Sequence, residues 1–297
     1  MKKITLVLLL AFSLPALAEP VLTVGYEEKT PEATLKALQD YFHKKSPEIK
    51  GDAFVDGSMN YSEGERQYDK FMMDRMQGDF DQPEGYPEVM SLGKKQWETP
   101  FANGKTMASC FAHGGKGAAN DYPKVDEKTG KVITFERALN DCRVANGEKP
   151  LDYDDMKKGV GPMSIVARHL SDGMRINMKI DTPAELAAFN RGKEVFYGRT
   201  GAADQSCASC HIQHAGDIAR TEDLSPVIGQ ATHFPVFRGN GDNGVKLITL
   251  QNRYEGCQKS TGVDKPMKPN SDESNDLEYF HTYISNGLPL STGVFRK

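Results

Sequence analysis

The sequence predicts a mainly α-helical protein built from two related domains in tandem. Three observations predict it. Apolar residues recur at helical spacing, at Leu35, Leu38 and Phe42, at Leu186, Phe189 and Phe196, and at Leu277, Phe280 and Ile284. Alternating runs that would mark half-buried strands are few. Four short segments of the first half are echoed, in the same order, in the second.

The chain opens with Met1-Lys2-Lys3, an apolar run from Ile4 to Leu14, Pro15 and the small-residue site Ala16-Leu17-Ala18. This pattern is a secretory leader over residues 1–18, which places the mature chain, from Glu19, in the periplasm. The run is too short for a good membrane span, and no later stretch reaches the ~20 apolar residues one needs. Loss of Lys2 and Lys3 takes the formal net charge from -4 to -6. No basic block points to nucleic acid, so a small anionic substrate has to be drawn in by a local cluster of charge.

The first domain is read over 19–180. Thr30 and Pro31 start a helix with a hydroxyl cap and a proline at the first position. A second helix is expected from Glu63 to Met76, where Met72, Met73 and Met76 read as core filling rather than a soft-metal site. The repeat then begins. Gly93 to Trp97 followed by Ala108-Ser109-Cys110-Phe111 is echoed by Gly192 to Phe196 followed by Ala208-Ser209-Cys210-His211. Phe135-Glu136-Arg137 with Cys142 is echoed by Asn252-Arg253 with Cys257, and Leu170 to Gly173 by Ile284 to Gly287.

The second domain is read over 181–297. Thr182-Pro183-Ala184-Glu185 is a capping box, and Ser271 caps a last helix that Gly287 stops. Between these helices lies Cys207-Ala208-Ser209-Cys210-His211, a C-x-x-C-H stretch. Two thiols on one turn bond a porphyrin's vinyl groups, and the histidine that follows reaches the iron. A zinc site would need a second ligand pair at similar spacing, which the chain does not offer. One covalent haem c on Cys207 and Cys210, with His211 as proximal ligand, is therefore expected. Helices on both sides of such a motif describe a class I cytochrome c domain. The first domain is then cytochrome c-like without haem, because Met107 and Phe111 stand where a cysteine and the iron-binding histidine would be. Its two leftover thiols, Cys110 and Cys142, read as a disulfide in an oxidising compartment, with buried free thiols as the alternative.

The candidates for the sixth iron position are Met267, His214, His233, His281 and Cys257. Methionine would raise the potential and suit electron transfer, whereas thiolate would lower it. Of five cysteines, two hold haem and two can pair, which leaves Cys257 as the odd thiol.

The sequence resembles the SoxA family, the catalytic haem subunits of L-cysteine S-thiosulfotransferases. The resemblance rests on Trp97 to Pro100, Ser109-Cys110-Phe111, Tyr122-Pro123, Arg143 with Asn146-Gly147-Glu148, the C-x-x-C-H, Phe234 to Arg238, Arg253-Tyr254-Glu255-Gly256-Cys257 and Asn286 to Pro289. It implies that Arg253 and Cys257 are active-site residues and that Cys257 is the distal haem ligand, often found as a persulfide. It further implies oxidative joining of thiosulfate to a cysteine of the carrier SoxYZ, with electrons passing to a partner cytochrome, SoxX. Some members carry a second haem in the first domain. This chain resembles the single-haem type. A compact dianion needs fixed positive charge beside a sulfur nucleophile, which guanidinium groups supply. For Arg253 the plain role of an arginine paired with a surface carboxylate competes with this one, and Arg238 and Arg296 are weaker candidates for that charge. A periplasmic electron carrier and a thiosulfate dehydrogenase are the alternative readings.

Overall fold

The computed structural model describes residues 23–45, 86–155, 157–219, 222–240, 244–293 and 295–296. The leader over 1–18, the helix expected at Glu63–Met76 and its Met72, Met73 and Met76 lie outside them.

The described chain is mainly α. Helix α1 is Pro31–Lys45, α2 Tyr86–Glu98, α3 Phe135–Ala145, α4 Val160–His169, α5 Pro183–Tyr197, α6 Leu250–Ser260 and α7 Asp272–Ile284. The caps do what the sequence says they should. Thr182 Oγ1 accepts from the Glu185 backbone N–H at 3.2 Å and Glu185 Oε2 accepts from the Thr182 N–H at 3.0 Å, so two orphan donors are satisfied at the start of α5. Ser271 does the same for the Ser274 N–H at 3.2 Å, opening α7.

The repeat is visible in how helices cross. A Cβ on Gly192 of α5 would lie 2.1 Å from the Asp276 carbonyl oxygen of α7. One on Gly93 of α2 would lie 1.9 Å from the Pro162 carbonyl oxygen of α4. Each half thus brings its two flanking helices into backbone contact at the glycine with which its repeated segment begins. Phe189 and Phe196 of α5 pack on Phe280 of α7, with ring centroids 5.3 and 5.2 Å apart. In the first half Phe111 stacks on Trp97 at 6.1 Å and tilts on Phe135 at 5.7 Å, while Met107 is fully buried. The residues standing in for a cysteine and a histidine therefore fill that interior themselves.

Packing attaches one N-terminal element to the second half. Leu38 and Phe42 of α1 join the core cluster of Phe189, Phe196 and Phe280, and Tyr197 Oη donates to the Val24 carbonyl at 2.5 Å. Between the halves, Asn252 Nδ2 donates to the Tyr153 carbonyl at 3.1 Å, and Arg168 bridges Glu136 of the first half and Glu278 of the second.

The strand content exceeds what the sequence signals. Strands β1 Lys124–Asp126 and β2 Lys131–Ile133 form one hairpin, and β3 Ile218–Ala219 and β4 Glu222–Asp223 another. Strands β5 Val236–Asn240, β6 Gly244–Ile248 and β7 Phe295–Arg296 make a three-stranded sheet in the order β6-β5-β7, with β5 antiparallel to β6 and parallel to β7. Phe237 and Leu247, paired across that sheet, join Val89 of α2 and Ile165 of α4 in a small core cluster.

Candidate functional site

The C-x-x-C-H segment runs from one helical step at Cys207 and Ala208 into a single wide turn, Ser209–Gln213, closed by the His214 N–H to the Ser209 carbonyl at 3.0 Å. Ser206 and Ser209 start it reciprocally, each hydroxyl accepting the other's backbone N–H at 3.1 Å. Helix α1 holds its far end: Tyr41 Oη donates to the Ile212 carbonyl at 3.3 Å and Lys45 Nζ to the Gln213 carbonyl at 3.1 Å. The turn is thus braced at both ends.

His211 Nδ1 meets the Ser225 carbonyl at 2.7 Å, so that nitrogen carries the proton and Nε2 is left as an acceptor. A backbone carbonyl fixing the tautomer in this way is the usual support for a metal-bound imidazole. Burial, assisted by the charge of Arg253 and opposed by the Ser225 bond, holds the ring below its ordinary pKa. The neutral form that ligation requires is therefore favoured.

Cys207, Cys210 and Cys257 are the free cysteines, all half-buried. Burial first, then the charges of Cys257 and Cys210, push the Cys207 thiol up to about 12. Burial and then Cys257 raise Cys210. On these two cysteines bare thiolates are therefore disfavoured, and thioether bonding relieves the cost.

An orphaned atom completes the fit. Tyr254 Oη lies 2.6 Å from His281 Nδ1, and burial, above all, keeps the phenol far from ionising. The phenol therefore donates, and His281 carries its proton on Nε2. That nitrogen is buried with no partner, and burial followed by the nearby His211 takes the ring's pKa down to about 3. A free imidazole Nε2 on His211, paired thiols on one turn, a third sulfur facing them and an unpartnered N–H nearby fit a haem c.

Helix α6 carries the third sulfur. Thr249 and Asn252 form its capping box, and Arg253 and Cys257, four residues apart, share one face. Cys257 is the eighth residue after the capping Thr249, as Cys142 is after the capping Thr134 of α3. In the first half that position is closed directly: Cys110 and Cys142 form a disulfide, Cα atoms 6.0 Å apart. The corresponding sulfurs of the second half, Cys210 and Cys257, stay apart as thiols.

Beside α6 opens a cavity of about 380 Å³, lined by Arg253, Asn252, Lys246, Lys259, Lys268 and Asp154 among others. Glu255 accepts from Lys259 at 2.8 Å and from Lys268. Lys246 is a residue that sequence reasoning missed. The sheet places it opposite Arg238 and places Arg238 beside Arg296, so three cationic positions lie in register. Like charges in register are unfavourable, a signal that becomes readable only once the pairing is known. The Arg296 side chain lies outside the described ones.

The other ligand candidates divide by burial. His214 is exposed and bonds Asp217 Oδ2 at 3.0 Å. His233 is buried, its ring stacked on Phe234 at 4.9 Å. Met267 lies in the second-half core at 4 % exposure, with its backbone N–H on Gln258 Oε1 at 2.6 Å.

Residues 92–176 match the family described as SoxA/TsdA, cytochrome c domain. The chain is 39% identical over 267 residues to the L-cysteine S-thiosulfotransferase subunit SoxA of Chlorobaculum tepidum, an alignment covering 90% of this chain and 88% of that one. It is 36% identical over 274 residues to the corresponding subunit of Allochromatium vinosum, covering 90% and 91%. Among solved structures it is similar to SoxXA from P. pantotrophus, with a TM-score of 0.65, 30% identity, and coverage of 82% of this chain and 90% of that one.

Proposed function

Since the chain belongs to the SoxA family of L-cysteine S-thiosulfotransferase subunits, we propose that it couples thiosulfate oxidatively to a cysteine of a SoxYZ-type carrier in the periplasm, after removal of residues 1–18. The observation that carries this reading is the placement of Arg253 and Cys257 on one face of α6, within electrostatic reach of His211 and of the paired thiols of the C-x-x-C-H turn.

Cys207 and Cys210, together with His211 and Cys257, would hold one haem c. When bound, that group would supply low-potential one-electron redox chemistry, with a SoxX-like cytochrome as the partner for those electrons. The reaction balances as carrier thiol plus thiosulfate giving carrier S–S–SO₃⁻, one proton and two electrons. Arg253 binds the dianion by directed, charge-assisted hydrogen bonds. A cysteine whose lone pairs are engaged by a metal is a poor nucleophile, and a persulfide on Cys257 removes the conflict. Its inner sulfur keeps its place while the terminal sulfur faces the cavity. Reading the fold as residues 19–180 and 181–297, the first unit serves as a scaffold whose disulfide takes the place of a haem.

The test is mass spectrometry of the carrier after incubation with thiosulfate, the haem-loaded protein and its partner cytochrome. The thiosulfonate adduct is expected with the native protein and absent with Cys257→Met. A plain electron carrier is the second reading, favoured by the burial of Met267. It predicts that the adduct does not depend on Cys257.

A further inference from the structure

We propose that Glu278, buried where the two halves meet, is a proton acceptor coupled to reduction of the haem held by the second half. Glu278 is 3 % exposed on α7. It faces Glu136 of α3, Arg168 of α4, and Gln251 and Tyr254 of α6, while His281, a turn further along α7, is bonded to Tyr254. The charged or titratable partners of the rest of α7 are engaged elsewhere, Arg191 on Asp276, Lys131 on Asp272 and Glu32 on Tyr283. The adjoining turn, Gln230–Thr232, contains no charged residue.

One guanidinium serves two carboxylates, and it serves them unequally. Arg168 donates to both oxygens of Glu136, at 3.1 and 3.0 Å, and the Ser164 hydroxyl adds a third bond at 2.6 Å. Glu278 receives only a 3.7 Å approach from Arg168 and one amide N–H from Gln251 at 2.9 Å. Two carboxylates in a dry site with one cation cannot both ionise cheaply. Glu136 keeps its charge: burial opposes it, but the charge and hydrogen bonds of Arg168 hold it below the ordinary carboxylate value. Glu278 therefore takes the proton. Burial first, then Glu136, push its carboxyl up to about 8.

A group poised there responds to a charge change nearby. Gln251, bonded to Glu278, precedes Cys257 by six residues on α6, about 9 Å of helix rise. Water screens little over such a path through the interior. Above about pH 8, where Glu278 is ionised before reduction, one electron entering the haem site adds one negative charge, and the Glu278 carboxylate then binds one proton from solvent, forming its O–H bond with no other bond broken. A small cavity lined by Asn120, Tyr122, Glu136, Arg168, Glu278 and Thr282 reaches the carboxyl, and the buried Asn120 Oδ1 there has no partner. The cavity wall also carries Ile176, Phe234, Leu250 and Leu290, so the unsatisfied acceptor and the Glu278 carboxyl mark the one polar side on which a bridging water can deliver the proton. The inference rests on haem in the second half and is independent of thiosulfate transfer.

The test is the midpoint potential of the haem-loaded, full-length protein as a function of pH, with reduced-minus-oxidised infrared difference spectra. The native protein should hold its potential through neutral pH and lose it as pH rises above about 8, with a slope approaching one proton per electron. Its difference spectrum should show a protonated-carboxyl band. Glu278→Gln, which mimics the protonated acid, should flatten the slope and remove the band. Glu136→Gln frees Arg168 for Glu278 and should move the sloping range to lower pH by a unit or more. A pH-independent native potential, or an unchanged slope in Glu278→Gln, would overturn the proposal.

Discussion

Replacing Cys110 by alanine isolates the contribution of the disulfide. Cys110 is exposed whereas Cys142 is 5 % exposed among core residues, so Cys110→Ala cuts the crosslink and leaves the core sulfur in place. The bond closes a loop with a sequence separation of 32. Chain entropy for a loop of that length gives about 12.5 cal/mol/K, or about 3.7 kcal/mol at 25 °C. The only tryptophan, Trp97, lies in the first-half core and reports that half directly. Guanidinium unfolding of the haem-loaded protein should show the Trp97 fluorescence midpoint falling in Cys110→Ala by an amount worth about 2–4 kcal/mol. The haem absorbance midpoint should move less. Coincident Trp97 transitions for the variant and the native protein would refute the reasoning, because a first half without that crosslink would then be just as stable.

Three further outcomes follow from the geometry. Gly192→Ala should destabilise the protein by about 2–3 kcal/mol or more in thermal or denaturant unfolding, since the added Cβ would meet the Asp276 carbonyl oxygen at 2.1 Å and backbone cannot step aside. His281 has a folded pKa depressed to about 3 against an ordinary 6.5, so its contribution is present above about pH 6.5 and is lost as pH falls toward 3. Denaturation series across that window should show a steeper acid loss in the native protein than in His281→Gln. Arg253→Ala and Lys246→Glu should each raise the KM for thiosulfate about tenfold or more with kcat changed much less, because both line the cavity beside α6 and are read as capturing the anion.

Much of the second half was legible because its signals are local. The Thr182 capping box, the Ser271 cap and the C-x-x-C-H turn each act within four or five residues, and each forms where the sequence puts it. The repeat was legible as matched words, but its physical content, a glycine at each helix crossing, needed the partner backbones of Pro162 and Asp276. What stayed hidden depends on long-range pairing. The β5–β6 ladder is short, five residues on each strand ending at the Asn240–Gly244 pair, so Phe237 and Leu247 read as stray apolar residues until they meet Val89 and Ile165. Helix α1 carries no mark of which half it joins, because an apolar stripe such as Leu38 and Phe42 specifies burial and not a partner. The Glu136–Arg168–Glu278 cluster likewise joins residues from three helices that no spacing rule connects.

The central claim is that the second half binds haem c between His211 and Cys257, and electron paramagnetic resonance with near-infrared magnetic circular dichroism on the oxidised, haem-loaded protein tests it most directly. The account predicts a low-spin ferric haem with histidine–thiolate signatures that convert to histidine–methionine signatures in Cys257→Met. A histidine–methionine spectrum in the native protein, lost on replacing Met267, would contradict it.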